Sequence, residues 1–321
     1  MSALERRPLG ISGLLVSELS LGSWRTYERI PREVGIAVMT RARDLGINFL
    51  DDARYNDETG HAPMKTGYSE VVFGELFRAV GWKRNDVILA NKLWWEFWPD
   101  QTAAQELDGS LKRMRMDYID LAYAERPPDG LGVEQITKEI ATLITAGKLR
   151  AWGVLNWPAS LIAEAAAVAQ ALGVPGPCAA QLPYSLVMRS PVEDADMVRS
   201  LQAAEANVVA SYTLVGGALS GKYTLPEGEG RITARIDDRD YSEALDAGRR
   251  LKELAREVEA PPAALAIAFA LHNTQVATVL FGATKLEQIE ENVKAAELAR
   301  TMDEQMLKRL GEIGATEGEP G

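Results

Sequence analysis

Histidine and cysteine are scarce in this chain of 321 residues, which contains two histidines and one cysteine. The single thiol, Cys178, excludes an internal disulfide, and no histidines and cysteines stand at the spacing of zinc ligands. His272 ends a helix-like run, where a C-terminal cap is the favoured interpretation, and His61 lies in a polar, irregular stretch. The sequence therefore predicts no metal site, and other side chains are expected to carry the chemistry.

The sequence also lacks a basic excess and a long apolar run. Its net charge is -11, whereas binding to nucleic acid requires a clustered basic face. No run of about 18 apolar residues occurs, and the first residues lack the apolar core of a signal peptide. We therefore expect a soluble, cytoplasmic protein with no nucleic-acid partner and no membrane association.

Apolar segments alternate with helix-like segments along the chain, and most of the apolar ones are continuous, as in parallel strands covered on both faces. The predicted strands are 17–22, 47–51, 86–92, 118–124, 149–155, 178–182, 207–212 and 276–282. The predicted helices are 33–45, 69–80, 101–115, 133–146, 159–172, 193–205, 243–258 and 262–272. This alternation favours an α/β fold, a closed (β/α)8 TIM barrel, over an open doubly wound sheet.

Flanking segments complete a single-domain prediction for residues 1–321. Two turn glycines, Gly10 and Gly13, indicate a β-hairpin before the barrel. Residues 221–241 are predicted to form a long loop over the barrel mouth, because irregular segments of this length are usually functional or mobile. Extra helices are expected at the C-terminal end, and 315–321 is expected to be a flexible tail.

The apolar strand within Met116–Pro128 brings Glu125 and Arg126 to its carboxyl end, where two prolines stop it. Charged residues at this end of a buried strand are typical of the functional sites of α/β enzymes. Glu125 is therefore a candidate functional residue. The alternative is that Glu125 caps the following loop or pairs with Arg126.

Three ionisable side chains follow two other predicted strands. Asp51 and Tyr55 follow one strand and Lys92 ends the next, so that a carboxylate, a phenol and an ammonium group form a set suited to proton transfer. Lys92 beside Asp51 is expected to stay charged and to lower the pKa of the Tyr55 phenol. The alternative is a salt bridge at the top of the barrel beside a surface tyrosine.

Aromatic residues crowd the loop that follows Lys92, and further tryptophans stand at other strand ends. Such a cluster predicts a pocket wall for an apolar or ring-shaped substrate. The predicted pocket residues are Trp24, Trp94, Trp95 and Trp157. At least two of the loop aromatics, which also include Phe97 and Trp98, are expected to pack the loop against the barrel instead.

Eight segments carry a resemblance that is specific because of their order and spacing. They are RPLGISGLLVSELSLGSW, NFLDDARY, SEVVFGELFR, DVILANK, SLKRMRMDYIDL, GKLRAWGVLNW, VVASYTLVGGALSGKY and FGATKLEQIEENVKAAE. Together they resemble the aldo-keto reductase family. The resemblance implies a TIM barrel, a nicotinamide cofactor, typically NADPH, bound without a Rossmann domain, and reduction of a carbonyl by hydride transfer.

By this resemblance the catalytic residues are Asp51, Tyr55, Lys92 and Glu125, and two of them depart from the family pattern. Tyr55 follows Asp51 by four residues instead of five and precedes an apparent insertion, which makes Tyr68 an alternative proton donor. Glu125 replaces a histidine that donates a hydrogen bond to the substrate oxygen. A protonated carboxyl group can also donate, and family members with glutamate here include steroid carbon–carbon double-bond reductases.

The resemblance also assigns the cofactor contacts. Asn156 and Gln181 match the residues that hold the nicotinamide carboxamide. Strict alignment places Ser211 at the position that stacks on the nicotinamide, and Tyr212 is the preferred ring. Lys285 supplies a charge that would favour NADPH over NADH. The full predicted set is Gly22, Ser23, Trp24, Asn156, Gln181, Ser211, Tyr212, Thr213, Leu214, Gly216, Lys222, Gly282, Thr284, Lys285, Gln288, Glu291 and Asn292.

Two functions follow as hypotheses. The first is an NADPH-dependent oxidoreductase that reduces a carbonyl, or an enone double bond, of an apolar or ring-shaped small molecule. The alternative is an NADPH-binding regulatory protein with little turnover that resembles the potassium-channel β subunits, which share this barrel. The sequence leaves open the substrate, the reaction direction and the oligomeric state, with a homo-oligomer among the alternatives.

Overall fold

The computed structural model describes residues 3–224 and 239–315. Two antiparallel strands, β1 (Arg6–Pro8) and β2 (Leu15–Ser17), form a hairpin ahead of a closed parallel barrel. The barrel strands are β3 (Leu19–Gly22), β4 (Phe49–Asp51), β5 (Ile88–Leu93), β6 (Ile119–Ala124), β7 (Leu149–Leu155), β8 (Ala179–Pro183), β9 (Asn207–Ser211) and β10 (Val276–Phe281). Each strand pairs with the next, and β10 pairs with β3. The predicted TIM barrel and hairpin are confirmed.

Helices surround the barrel. Those described are α1 (Arg32–Asp44), α2 (Tyr68–Val80), α3 (Ala103–Met114), α4 (Val133–Thr145), α5 (Ala159–Leu172), α6 (Ser190–Glu193), α7 (Ala195–Ala203), α8 (Arg239–Glu257), α9 (Pro262–His272), α10 (Leu286–Asn292), α11 (Lys294–Thr301) and α12 (Glu304–Gly314). The predicted helix 193–205 is α7, preceded by the single turn of α6. Within the described ranges, no helix is long and apolar enough to cross a membrane.

The barrel strands are apolar on both faces because one face fills the barrel interior and the other lies beneath the helices. In β5, Ile88 and Ala90 belong to the interior cluster, whereas Leu89 and Leu93 belong to the cluster packed under the helices. Lys92 continues the inward-facing alternation of β5 and is 5% exposed. The inward face thus becomes polar only near the carboxyl end of the strand.

The N-terminal hairpin closes the opposite end of the barrel. Leu9, Leu14 and Val16 are buried in the same cluster as the side chains of the barrel interior. Gly10, with φ of 53°, makes a close approach here: its N–H donates to Asn207 Oδ1 at 2.8 Å, and a Cβ would lie 2.4 Å from the carbonyl oxygen of Cys178. The barrel therefore has an apolar floor, and its polar end is the one at which the parallel strands terminate.

Helical structure occupies both ends of the segment 221–241 that was predicted to be a long loop over the barrel mouth. Lys222–Thr224 forms a 3₁₀ turn, and α8 begins at Arg239, four residues before the predicted helix start at 243. Residues 225–238 lie outside the described residues, as do residues 316–321, which include most of the predicted tail.

Candidate active site

Three predicted residues meet at the carboxyl ends of β4 and β5. Lys92 Nζ donates to Asp51 Oδ1 at 2.6 Å and to the Tyr55 hydroxyl oxygen at 2.9 Å. Asp51 and Lys92 are 1% and 5% exposed, and Tyr55 is half-buried in the loop after β4. The ammonium group thus bridges a carboxylate and a phenol, an arrangement in which a positive charge lies beside a group that can donate a proton.

A fourth residue holds Asp51 from across the barrel. Gln181 is at the end of β8, which lies opposite β4 in the eight-stranded ring, and its Nε2 donates to Asp51 Oδ2 at 3.0 Å. Both carboxylate oxygens of Asp51 therefore accept a hydrogen bond inside the barrel. The amide of Gln181, predicted to contact a cofactor, is engaged with Asp51 in this structure.

Burial and charge act in opposite directions on these groups. Burial lowers the pKa of Lys92, but the charge of Asp51 and the phenol of Tyr55 outweigh it, so the net pKa is raised. Burial raises the pKa of Tyr55 well above its ordinary value, and the Lys92 charge offsets this only in part. Lys92 thus lowers the pKa of Tyr55, as expected, but burial outweighs this effect and the net pKa is raised instead of lowered. Tyr55 keeps its proton at neutral pH, as a proton donor must.

The structure distinguishes the two candidate tyrosines. Tyr55 reaches Lys92 although it follows Asp51 by only four residues, whereas the Tyr68 hydroxyl accepts a hydrogen bond from Arg32 on α1 at 3.1 Å. The insertion between them folds back on itself: Asn56 and Thr66 form an antiparallel bridge, and Gly67 N donates to Tyr55 O at 2.9 Å. The inserted residues therefore leave and return beside Tyr55 without displacing it from Lys92.

Tyr123 is a buried polar residue at this site that the sequence reasoning missed. It pairs in register with Lys92 on the neighbouring strand and is fully buried among the interior side chains. Burial, with the negative charge of Asp51, raises the pKa of Tyr123 well above its ordinary value. Its inward position could have been found from the alternation of β6, in which Leu121 also points inward.

A second buried carboxylate, Asp52, lies behind the first. Ser23 Oγ donates to Asp52 Oδ1, and Asp52 Oδ2 has no hydrogen-bond partner in the described part of the chain. Burial raises the pKa of Asp52 well above its ordinary value and the charge of Glu70 adds to this, against the hydrogen bond from Ser23. Asp52 thus joins the loop after β3 to the loop after β4 through a carboxyl group that favours its neutral form.

Lys92 is also supported from the helix side of the sheet. Asn91 Oδ1 accepts from the Lys92 backbone N–H at 2.6 Å, while Asn91 Nδ2 donates to Glu70 Oε1 at 2.9 Å. Glu70, on α2, is completely buried and is paired at its other oxygen with Arg113 of α3 at 2.5 Å. The backbone at Lys92 is therefore fixed by a hydrogen-bonded chain that ends on two helices.

Glu125 follows β6 and is half-buried. Its Oε1 accepts from the backbone N–H of Arg126 at 3.0 Å, and its carbonyl oxygen accepts from Trp95 Nε1 at 3.2 Å. The Arg126 side chain contacts the loop after β7 by donating to Asn156 O at 2.5 Å. The carboxylate thus caps its own loop, as the alternative interpretation suggested, and a catalytic role stays a prediction.

The predicted pocket tryptophans differ in exposure. Trp24 is 37% exposed, and the half-buried Trp94 places its ring edge-on to Tyr55, with centroids 6.1 Å apart. Trp95 and Trp157 are only 3% and 1% exposed and belong to the core. As walls of a substrate pocket, Trp24 and Trp94 are therefore better placed than Trp95 and Trp157, which support the loops from beneath.

Candidate cofactor residues after β3 and β9 lie at the same part of the barrel mouth, because both strands flank β10. Gly22 ends β3, and Ser23 is buried. Ser211 ends β9, and the Tyr212 hydroxyl lies 2.9 Å from that of Tyr241 on α8. Thr213 is buried, and its hydroxyl has no hydrogen-bond partner among the described residues.

The next candidates form a tight turn after β9. Leu214 O accepts from Gly217 N at 2.8 Å, and Gly216 and Gly217 have φ values of 64° and 97°. A Cβ on Gly217 would lie 2.8 Å from Lys222 Cε. The turn therefore packs the stem of Lys222 against bare backbone, which needs glycine.

The candidates after β10 lie around the start of α10. Gln288 Oε1 accepts from the backbone N–H groups of Thr284 and Lys285 at 2.8 and 3.2 Å. Lys285 and Glu291 are exposed, Gly282 is half-buried and Asn292 is 3% exposed. Gln288 therefore orders this turn, and the Lys285 side chain extends toward solvent.

Left-handed backbone conformations cluster at the same end of the barrel. Five of the eight non-glycine residues with positive φ in the described ranges follow the strands β3, β5, β7 and β9. They are Arg25, Trp95, Asn156, Tyr212 and Val215. Such conformations are costly and persist where surrounding contacts enforce them, which is typical of functional sites.

Comparison with known proteins agrees with this geometry. The model of the Aldo/keto reductase family matches residues 18–315. The chain belongs to the aldo/keto reductase family. Members of the family generally bind NADP(H). In the described residues, no group of three or more histidine, cysteine or acidic side chains is placed to hold a metal ion.

Relatives of this aldo/keto reductase carry names from a different class of protein. A protein of Oryza sativa subsp. japonica, "Probable voltage-gated potassium channel subunit beta", is 31% identical over 96% of this chain and 95% of its own length. A protein of Arabidopsis thaliana with the same name is 28% identical, over 97% and 96%. A Schizosaccharomyces pombe protein assigned to the same class is 32% identical, over 96% and 92%.

Asp52→Asn should alter how stability depends on pH. The pKa of Asp52 is raised on folding, so the stability that its proton provides is present below the unfolded pKa of about 4 and is lost as pH rises through the folded pKa. The amide cannot ionise and keeps an acceptor for Ser23. The urea midpoint of the variant, relative to wild type, should therefore increase from about pH 4 toward neutral pH.

Asp57→Asn is a control for which the stability difference from wild type should change with pH in the opposite direction. The reason is that hydrogen bonds from the Thr59 hydroxyl and backbone lower the pKa of Asp57. Parallel pH profiles for wild type and Asp52→Asn would show that folding does not raise the pKa of Asp52.

Proposed function

We propose that this protein is an NADPH-dependent oxidoreductase that reduces the carbonyl, or the conjugated double bond, of an apolar or ring-shaped small molecule. The observation that carries the proposal is the bridge from Asp51 through Lys92 to the protonated Tyr55 at the carboxyl ends of adjacent strands. The acidic composition and lone cysteine support a cytoplasmic enzyme without a nucleic-acid or membrane partner.

The residues around the barrel mouth fit a dinucleotide cofactor. Thr213 offers a buried hydroxyl that has no partner in the described ranges, and the bare backbone of Gly217 lets the stem of Lys222 pack close to the turn. Lys285, outside the start of α10, would hold a 2′-phosphate, and Asn156 would hold the carboxamide. When bound, the reduced nicotinamide supplies a hydride.

Tyr55 supplies the proton. As the substrate oxygen gains negative charge, the Tyr55 hydroxyl donates its proton to that oxygen, and the neighbouring Lys92 ammonium stabilises the phenolate left behind. Asp51 keeps Lys92 charged, and Gln181 fixes the second oxygen of Asp51. Because burial raises the pKa of Tyr55, its hydroxyl is protonated at neutral pH before the reaction begins.

The pocket favours flat, apolar substrates. The indole of Trp94 lies edge-on to Tyr55, and its Nε1 is buried without a hydrogen-bond partner in the described part of the chain. The exposed ring of Trp24 stands at the end of β3. A ring-shaped substrate would contact these aromatic surfaces while its oxygen lies at Tyr55.

The names of the relatives favour a second candidate function, that of a β subunit of a voltage-gated potassium channel. In that role the same barrel would bind NADPH and turn over slowly or not at all. Turnover with small carbonyl compounds separates this candidate from the first.

Tyr55→Phe tests the proposed reaction. The purified protein, loaded with NADPH, is mixed in stopped flow with a panel of aldehydes, ketones and enones, and absorbance at the nicotinamide band is followed. We expect at least one compound to oxidise the cofactor rapidly, and Tyr55→Phe to slow that reaction by about 100-fold or more, because it removes the general acid.

Tyr68→Phe is the matched control and should react like wild type, since its hydroxyl contacts Arg32. Cofactor that stays reduced with every compound would favour the channel-subunit candidate over the enzyme.

Lys285→Ala tests the phosphate site. Loss of a hydrogen bond to a charged group costs about 1.5–3 kcal/mol, so the Kd for NADPH, measured by fluorescence titration, should rise roughly ten- to a hundred-fold while the Kd for NADH stays nearly constant. Lys294→Ala, an exposed lysine at the start of α11, should change neither. Equal losses for both cofactors would place the 2′-phosphate elsewhere.

Glu125→His tests the choice between carbonyl and double-bond reduction. An imidazole reaches further into the pocket than a carboxyl group and donates a hydrogen bond when neutral, so the ratio of enone to aldehyde reduction should fall. Glu125→Gln keeps the length and an amide donor and should retain the wild-type ratio. Products are identified by mass spectrometry, and an unchanged ratio in Glu125→His would assign Glu125 to capping its loop alone.

A further inference from the structure

Arg54 is a buried charge that immediately precedes the proton donor Tyr55 and has no part in the proton transfer. Its side chain is 6% exposed. The segment in which it lies is fixed to α2, because Ser69 Oγ donates to Ala53 O at 2.6 Å. The guanidinium therefore projects from a rigid anchor next to the catalytic phenol.

The guanidinium joins three elements around the mouth of the barrel. Nη1 donates to Thr66 Oγ1 at 2.8 Å, on the returning arm of the inserted hairpin 56–66. Nη2 donates to Glu96 Oε2 at 2.7 Å and lies 3.6 Å from Glu106 Oε1 of α3. The guanidinium carbon also lies 5.3 Å from the centre of the Phe97 ring. The planar fork of arginine suits such simultaneous contacts.

Glu106 connects Arg54 to the aromatic loop. It is 4% exposed, and its two carboxylate oxygens accept from the backbone N–H groups of Trp94 and Trp95 at 2.9 and 3.2 Å. Trp95 is left-handed, with φ of 58°, a conformation that needs such enforcement. The same loop places the Trp94 ring edge-on to Tyr55.

The charges in this cluster depend on one another. Burial raises the pKa of Glu106, against the hydrogen bonds from Trp94 and Trp95 and the charge of Arg54. Without Arg54, Glu106 would be a buried carboxylate with no cation beside it. Glu96, whose side chain is 44% exposed, would lose the ion pair that connects it to the segment after β4. The aromatic loop would then keep its backbone link to α3 and the edge-on contact of Trp94 with Tyr55, but would lose its polar link to the segment that carries Tyr55.

We propose that Arg54 is a positioning residue that fixes the Trp94–Trp98 loop against Tyr55 and so sets the width of the substrate pocket. This inference rests on the proposed function. The contacts of Arg54 lie on the pocket loops, whereas the bridge from Asp51 to Lys92 and Tyr55 is formed without it. Loss of Arg54 should therefore weaken substrate binding much more than it slows the chemical step.

The kinetic test uses three variants with NADPH and 4-nitrobenzaldehyde as the probe. Arg54→Met keeps the apolar stem and should raise KM about tenfold or more, with kcat within about threefold of wild type. Arg54→Lys, which cannot contact both carboxylates in a fork, should be intermediate. Glu96→Gln removes only the negative charge of the exposed partner of Arg54 and should raise KM about two- to fivefold without unfolding the protein.

Glu75→Gln is the control, because the Glu75 side chain is about as exposed as that of Glu96 and forms an ion pair with Arg32 on the outer helices, at 3.1 Å. Its KM and kcat should equal those of wild type. A fall in kcat at constant KM in Arg54→Met and Glu96→Gln, or no change in either parameter, would overturn the proposal.

A second measurement does not require activity. The protein is labelled with 5-fluorotryptophan, and the resonances of its seven tryptophans are assigned with single Trp→Phe variants. Arg54→Met and Glu96→Gln should shift or broaden the signals of Trp94, Trp95 and Trp98 and leave those of Trp152 and Trp157 unchanged. If no aldehyde is reduced by the wild type, the proposed reaction fails, and these spectra still decide whether Arg54 positions the loop; unshifted signals would show that it does not.

Discussion

The buried ion pair between Asp51 and Lys92 is the constraint on which the polar end of this barrel depends. Removing two such charges from water costs several kcal/mol per ion, and their attraction offsets this only when the remaining hydrogen-bonding groups are satisfied. Here the carboxylate accepts from both Lys92 and Gln181, and the ammonium donates to both Asp51 and Tyr55. The Tyr55 hydroxyl is thus one of the hydrogen-bonding groups that allow the charges of Asp51 and Lys92 to be buried.

The surrounding layers make this arrangement rigid. Asn91 and Glu70 fix the backbone at Lys92 from the helix side, and Gln181 fixes Asp51 from the opposite wall of the barrel. The two neighbouring carboxyl groups differ in their electrostatic surroundings. Asp51 is paired with the Lys92 ammonium group, whereas burial raises the pKa of Asp52. Two adjacent carboxyl groups therefore serve different purposes, one electrostatic and one as a hydrogen-bonded link between loops.

The fold could be predicted from the sequence because its signals are local. Continuous apolar segments with polar carboxyl ends mark parallel strands, and all eight observed strands end within two residues of the predicted positions. Asp51, Tyr55 and Lys92 could be singled out because parallel strands bring their carboxyl ends together. Tyr55 reaches Lys92 although it follows Asp51 by four residues instead of five, since the inserted residues begin and end beside Tyr55.

The remaining features of the site depend on pairing between distant strands and on burial, which no local pattern encodes. The bond from Gln181 to Asp51 joins strands on opposite sides of the ring, and the inward position of Tyr123 becomes meaningful only once it is paired with Lys92. The direction of the Tyr55 pKa was misjudged because the charge of Lys92 is visible in the sequence and desolvation is not. The burial of Trp157 was likewise hidden by its place at a strand end.

The apolar floor made by the N-terminal hairpin has a consequence for the supply of protons. Leu9, Leu14 and Val16 fill the end of the barrel below the charged groups, and the close approach of Gly10 to the Cys178 carbonyl leaves no room there for a side chain. Among the described residues, the side chains below the charged groups are apolar, and the polar approach to Tyr55 is at the mouth. In the proposed reaction, the phenol would be reprotonated through the same opening by which the product would leave, so reprotonation and product departure would be coupled in space.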